Sequence, residues 1–238
     1  MGIERKPYQR DCLLGASGAL LMLVGDLCLS VIPASAGDSG LFQREAYLSG
    51  SYPAWRLPLL VATGLLGMAL CFFAVRAVYT QVKPQHRITR RLIAISGVLY
   101  LTSAGALHLF IGSLADWTSV LSPLLGREET TQLIAAQYGR LMPAFSLPYA
   151  GIMALLLVNA YAVAAGKTVL PRKMLLCHAL VWQIIFVLIP DIRQLLGAMP
   201  ATMDFVLSQG SGNAAMMLWM LANAVWAGKQ TKKETEER

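Results

Sequence analysis

Six long apolar segments separated by polar stretches organise the chain. Most of them reach the roughly 20 residues that an α-helix needs to cross the hydrocarbon core of a bilayer. Backbone polar groups find no water in lipid, so each segment must satisfy its own hydrogen bonds as a helix. The pattern predicts an all-α polytopic membrane helix bundle in one domain, residues 1–228, followed by a polar cytoplasmic tail, residues 229–238. The six predicted transmembrane helices are residues 12–32, 57–80, 92–114, 143–165, 174–190 and 203–227.

Basic residues divide unevenly between the two sides of these predicted helices. Of the 20 Lys and Arg residues, 14 lie in the N-terminal segment, the second and fourth loops and the tail, and five lie in the opposite loops. Because basic loops stay in the cytoplasm, both termini are predicted there, in a multi-pass protein of the cell inner (plasma) membrane. Ala34-Ser35-Ala36 resembles a signal-peptidase site, but the preceding apolar run exceeds the about 7–15 residues of a signal peptide and contains Asp26.

Composition agrees with lipid as the main solvent. Hydrophobic residues make up 56% of the chain and charged residues only 14%, against about 25% charged in soluble domains. The net charge of +7 arises from topology signals between apolar runs and forms no basic stripe, so no nucleic-acid partner is predicted. The four cysteines contain no CxxC pair and the three histidines lie at different levels, so no metal site and no cofactor are predicted.

Two ionisable residues inside predicted helices carry the candidate chemistry. Asp26 lies about 10 Å and His108 about 9 Å below the outer ends of helices that run in the same direction. Burying a carboxyl group at mid-membrane costs at least ~2.5–3.5 kcal/mol, so such residues face the bundle interior and find partners. The sequence therefore predicts that Asp26 and His108 form a catalytic pair at one depth.

Further polar residues are predicted around this pair. The stretch 208–213 is unusually polar for a membrane helix and places Gln209 and Asn213 at a similar level. Arg140 and Asp191 belong to an outer charged rim, and Gln183 lies near the middle of the fifth helix. We predict that Arg140, Gln183, Asp191, Gln209 and Asn213 bind a ligand. His178, by contrast, is predicted at the inner membrane interface, and Asn159 and Asn223 as hydrogen-bonding residues between helices.

These residues favour an outward-facing polar pocket that binds a small amphiphile or membrane lipid. If the protein is an enzyme, the pocket also processes this ligand by His/Asp acid–base chemistry. One alternative is a small proton-coupled transporter, which needs a polar track through the inner half. Another is a non-catalytic partner subunit, which needs exposed small residues such as Ala150, Ala154 and Ala160. The sequence leaves enzymatic activity and homo-oligomer formation open.

Three stretches resemble a family of small bacterial membrane proteins known only as a domain of unknown function. They are Gly18–Leu27 with its Gly25-Asp26 pair, Trp55–Gly67 with its Trp55-Arg56-Leu57-Pro58 start, and Gly105-Ala106-Leu107-His108. The resemblance covers about the first half of the chain. It implies a six-helix bacterial membrane protein and implies no activity.

Overall fold

The computed structural model describes residues 4–32, 44–196 and 210–236, and these residues form an all-α fold. A single β-bridge, between Val82 and Thr168, is the only strand pairing in the described ranges. A 3₁₀ helix, Arg172–Cys177, precedes the seventh α-helix. The α-helices are α1 (Arg5–Ser30), α2 (Glu45–Leu48), α3 (Arg56–Gln81), α4 (Arg87–Leu125), α5 (Arg127–Phe145), α6 (Leu147–Ala164), α7 (Ala179–Leu196) and α8 (Ser211–Glu236).

Four helical stretches in the described residues are long and apolar enough to cross a membrane: α1, α3, α4 and the continuous stretch Arg127–Ala164. They indicate a membrane protein. The remaining two predicted spans overlap α7 and α8: the fifth begins in the 3₁₀ helix, α7 ends six residues beyond it, and residues 203–209 of the sixth lie outside the described residues. Thus the predicted fold class is confirmed at the level of an all-α protein with candidate membrane helices.

Several helix boundaries differ from those that the apolar pattern predicted. The third predicted span, 92–114, is part of a 39-residue α4, about 58 Å long against a hydrocarbon core of about 30 Å. α4 ends at Gly126, whose φ of +89° suits glycine. The predicted fourth span begins inside α5, and the chain starts a new helix after Ser146. α8 continues to Glu236, so most of the polar tail is helical.

α1 and α3 pack so closely that their backbones touch. A Cβ atom at Gly18 would lie 2.6 Å from the Gly67 carbonyl oxygen, and one at Gly67 would lie 2.8 Å from the Gly18 carbonyl oxygen. Small residues allow such close approach between membrane helices. The van der Waals packing that results stabilises the contact in lipid, where apolar helices gain no hydrophobic free energy by associating. This contact fixes α1, and with it Asp26, against α3.

The last turn of α1 is held by side chains from the segment after it. The carbonyl oxygens at the end of a helix have no partner within the helix. Tyr52 donates to the carbonyl oxygen of Cys28 at 2.8 Å and Tyr47 to that of the next residue at 2.5 Å. Arg44 and Arg56 donate to the two carbonyl oxygens that follow, at 2.5 Å and 2.7 Å. Burial raises the pKa of Tyr52 to about 12, so its hydroxyl stays a donor at neutral pH.

The bundle has two structurally distinct ends. At the terminal end, which holds the start of α1 and the last part of α8, Arg5 donates to the carbonyl oxygen of Gln230 at 2.8 Å. There the loop after α3 also meets the loop after α6, where the Lys83 N–H donates to the Lys167 carbonyl oxygen at 2.9 Å. At the opposite end, called the cap end here, Ser122 of α4 donates to the carbonyl oxygen of Leu48 in α2 at 2.6 Å.

Candidate functional site

A carboxylate and an amide meet between α1 and α8, towards the cap end. The Asn213 Nδ2 donates to the Asp26 Oδ2 at 2.7 Å. α1 and α8 run antiparallel, so the first turn of α8 reaches the last part of α1. The Asp26 side chain is 26% exposed among the described residues, so Asn213 satisfies one carboxylate oxygen without enclosing the group.

His108 of α4 faces the other oxygen of the same carboxylate. Its Nδ1 lies 3.9 Å from the Asp26 Oδ1, and its side chain is 10% exposed. This separation is longer than a hydrogen bond, so the two atoms are near each other while both keep capacity for a third group. The imidazole rests on α3, because a Cβ atom at Gly64 would lie 2.8 Å from the His108 Cγ. We call Asp26, His108 and Asn213 the Asp26 cluster.

α7 is joined to α8 close to the Asp26 cluster. Gln183 Nε2 lies 2.8 Å from the Ser211 Oγ, to which it donates, and Ser211 is only 5% exposed. Ser211 begins the helix that carries Asn213 two residues later. Gln183 therefore positions the start of α8 and contacts Asp26 only through that helix. Sequence reasoning had named the polar stretch that contains Ser211 but had assigned Ser211 no role.

Of the other three predicted ligand-binding residues, only Arg140 has a described side chain. Gln209 lies outside the described residues, and Asp191 lies in the last turns of α7, where its side chain is outside the described part. Arg140 is exposed on α5. In the described part of the chain, no hydrogen bond or ion pair links Arg140 to any residue of the cluster. No contact therefore supports its predicted place at a pocket mouth.

A second buried polar pair lies deeper towards the terminal end. His178 is 2% exposed and Asn159 is fully buried. The Leu180 N–H donates to His178 Nδ1 at 3.2 Å, which places the ring proton on Nε2, 3.2 Å from the Asn159 Oδ1. The ring also packs on Trp219 with centroids 4.5 Å apart. His178 is therefore enclosed by protein directly before the start of α7. Its position at the inner membrane interface stays a prediction. The apolar run that follows it, Ala179–Trp182, was the signal that could have shown its burial.

The Asp26 cluster has the chemical groups for binding a polar ligand and moving a proton. A carboxylate accepts hydrogen bonds, an imidazole donates or accepts according to its tautomer, and the amide holds the carboxylate in place. Within the described ranges, no group of three or more His, Cys, Asp or Glu residues could hold a metal ion.

Comparison with known proteins places the chain in a family. The profile of the "Family of unknown function (DUF6796)" matches residues 5–227. No curated protein and no solved structure matched the sequence. The resemblance to a domain of unknown function is confirmed, and the match extends well beyond the first half of the chain. The chain belongs to this family of unknown function.

Proposed function

We propose that the protein crosses the plasma membrane six times, with both termini in the cytoplasm. The distribution of basic residues supports this topology. So does the terminal end of the bundle, where the start of α1, the loop after α3, the loop after α6 and the last part of α8 meet. All four segments were predicted on one side. The Asp26 cluster would then lie in the outer half of the membrane.

Within this topology, the Asp26 cluster is proposed to bind the polar group of a small amphiphile or lipid that enters from the outer leaflet. One observation carries the proposal: the Asp26 Oδ1 and the His108 Nδ1 lie 3.9 Å apart, too far for a mutual hydrogen bond. Polar groups within a membrane are costly unless they are satisfied. A ligand hydroxyl beside both atoms would donate to the carboxylate and accept from the imidazole, or donate to an unprotonated Nδ1.

If the bound ligand reacts, the residues divide the work as follows. His108 takes a proton from the ligand's hydroxyl or returns one to it, because imidazole exchanges protons near neutral pH. Asp26, 3.9 Å away, stabilises by its charge the imidazolium that forms, and the contact with α3 at Gly64 positions the ring. Asn213, by its 2.7 Å hydrogen bond, keeps the carboxylate turned towards His108. The further roles once predicted for Arg140 and Gln183 are not part of this mechanism.

The test identifies the amphiphiles that copurify with the full chain by mass spectrometry after extraction in mild detergent. Asp26→Asn and His108→Ala are expected to lose the bound species while both variants still insert and fold. Asp116→Asn is the matched control, since Asp116 also lies on α4 but eight residues, about 12 Å, beyond His108. Equal retention by the wild type and both cluster variants would contradict the proposal.

A small proton-coupled transporter that carries protons on Asp26 is the second candidate. The buried polar pair His178 and Asn159 favours it, since it extends polar groups into the half of the bundle where a transport path would have to continue. Proton flux into proteoliposomes separates the two candidates. A transporter shows flux that Asp26→Asn abolishes, whereas a binding protein or enzyme shows none above empty vesicles.

A further inference from the structure

A cavity of about 470 Å³ opens at the terminal end of the bundle, between the start of α1, the end of α3 and the start of α4. This volume lies within the ~300–1,000 Å³ typical of ligand pockets. Four cationic side chains and two carboxylates line it, which leaves a net charge of +2. These charged residues are Arg10, Arg76, Lys83, Arg90, Glu4 and Asp11.

One ion pair in the wall is already complete. Asp11 is 3% exposed and accepts two hydrogen bonds from Arg76, one of them from Nε to Oδ2 at 2.7 Å. Such a bidentate pair fixes the guanidinium and satisfies both carboxylate oxygens. Arg10 lies 4.0 Å from the same carboxylate, and its side chain is 66% exposed. The positive charge of Arg10 is therefore not cancelled by a close partner in the pair.

The other two cationic side chains interact with neutral groups, and these partners do not compensate their positive charge. Lys83 Nζ donates to the carbonyl oxygen of Gly166 at 2.9 Å. The Arg90 guanidinium lies over the Tyr79 ring, 4.2 Å from its centroid. The Arg90 Nε is buried without a hydrogen-bond partner in the described part of the chain. A buried donor without a partner costs free energy, but this N–H has almost no accessible surface, so a ligand in the cavity would meet the charge of the guanidinium and not the Nε–H.

We propose that this cavity binds the phosphate group of an anionic phospholipid. The cavity lies at the ends of three membrane helices, which is the level at which lipid head groups are found. Under the proposed topology this end faces the cytoplasmic leaflet, whose anionic lipids attract basic residues near the membrane surface. The phosphate would meet Arg10, Lys83 and Arg90, which line the cavity together with the buried residues Tyr8 and Val82. This site is separate from the Asp26 cluster, and neither depends on the other.

Adjacent arginines on α4 provide a matched test. Arg90 lines the cavity, whereas Arg91 is exposed and does not. Native mass spectrometry of the full chain in neutral detergent would measure binding of phosphatidylglycerol. Arg90→Gln is expected to weaken it about fivefold, the equivalent of about 1 kcal/mol for a basic residue near a membrane surface. Arg91→Gln is expected to change it less than about twofold. Equal losses for the two variants would overturn the proposal.

A second variant checks that the loss in Arg90→Gln does not come from misfolding. Two other ligands show whether a lipid or a soluble phosphate ester supplies the phosphate group. Arg10→Gln removes a lining charge from an exposed side chain and should also weaken phosphatidylglycerol binding. Phosphatidylcholine, which has no net charge, should bind more weakly than phosphatidylglycerol, and equal binding would contradict the charge argument. Glycerol 3-phosphate should compete poorly. If it bound more tightly than the lipid, the ligand would be a soluble phosphate ester and the lipid assignment would be wrong. Asp116→Asn, on α4 but outside both the cavity and the Asp26 cluster, should leave all these affinities unchanged.

Discussion

Two buried histidines of this protein have different hydrogen-bonding states. His178 uses both ring nitrogens, one with Asn159 and one with the Leu180 N–H, and packs its ring on Trp219. His108 rests beside a carboxylate at 3.9 Å. The comparison shows that burial of a histidine does not by itself mark a site: His178 is the more buried, yet its polar atoms are already occupied.

The partners of the two histidines differ as well. Asn159 is an uncharged amide whose Oδ1 pairs with His178, while its Nδ2 is buried without a hydrogen-bond partner in the described part of the chain. Asp26 differs in kind, because it brings an ionisable carboxyl group into a predicted membrane helix, where such groups mark functional sites. A costly and incompletely satisfied group is expected where function requires it. We therefore assign packing to His178 and ligand binding to His108.

The largest expected effect separates these two roles. His178→Ala should lower the free energy of unfolding by about 3 kcal/mol, because it opens a cavity against Trp219 and leaves the Asn159 Oδ1 without its partner. Each folded molecule should still retain the copurified amphiphile. Denaturation in mixed detergent micelles, followed by helix content, would measure the loss.

His108→Ala is the counterpart to this variant. It breaks no hydrogen bond within the described part of the chain, so unfolding should become easier by only about 1 kcal/mol, while retention of the amphiphile is lost. If His108→Ala proved the more destabilising of the two, or if His178→Ala lost the ligand while folded, the assignment of roles would be reversed.

A smaller effect is expected from moving His108 without removing it. In Gly64→Ala the new methyl group would lie 2.8 Å from the His108 Cγ and would push the ring away from its place. We expect about tenfold weaker retention of the amphiphile and a loss of about 1–3 kcal/mol in the free energy of unfolding, because the methyl group would also lie 2.9 Å from the His108 Cβ, which turning the ring cannot move. Titration of the copurified species back onto delipidated protein would measure this.

Gly105→Ala is the matched control for that variant. Gly105 lies on α4 near His108, and a Cβ atom there would meet only Leu65 and Met68, at 3.7 Å and 3.9 Å, which are ordinary contacts. Its affinity should equal that of the wild type. Equal weakening in both variants would mean that tighter α3–α4 packing, and not the position of His108, controls binding.

The smallest effect is expected at Arg140. This residue is exposed on α5 and makes no contact with the Asp26 cluster in the described ranges, so Arg140→Gln should leave amphiphile retention within about twofold of the wild type. The same copurification assay measures it. A loss as large as that of Asp26→Asn would restore the pocket-mouth role that the sequence suggested.

Relative height along the bundle could be predicted from the sequence for three residues, whereas direction around the helix axis could not. Counting residues from the helix ends placed Asp26, His108 and Asn213 at one level, and the structure brings these three together. The sequence also predicts Arg140 on an outer charged rim at the mouth of the same pocket, whereas in the structure Arg140 lies exposed on α5 and a new helix begins after Ser146. Residue spacing fixes height along a helix, and only packing fixes which face meets which neighbour.

Contacts that depend on loop folding were also beyond the sequence. The capping of α1 by Arg44, Tyr47, Tyr52 and Arg56 needs the segment after α1 to fold back on it. Individually, these residues resemble ordinary polar residues of an outer loop. The length of α4 was missed for a related reason: residues 115–125 are too mixed in polarity to extend a membrane span, yet they stay helical because they pack against α2 and α5.

Electron cryomicroscopy of the protein in lipid nanodiscs, at a resolution that shows side chains, tests the central claim most directly. The account predicts non-protein density within hydrogen-bonding distance of both the Asp26 Oδ1 and the His108 Nδ1, and none beside His178. A direct hydrogen bond between His108 and Asp26, closed off by packed side chains with no density next to them, would contradict it.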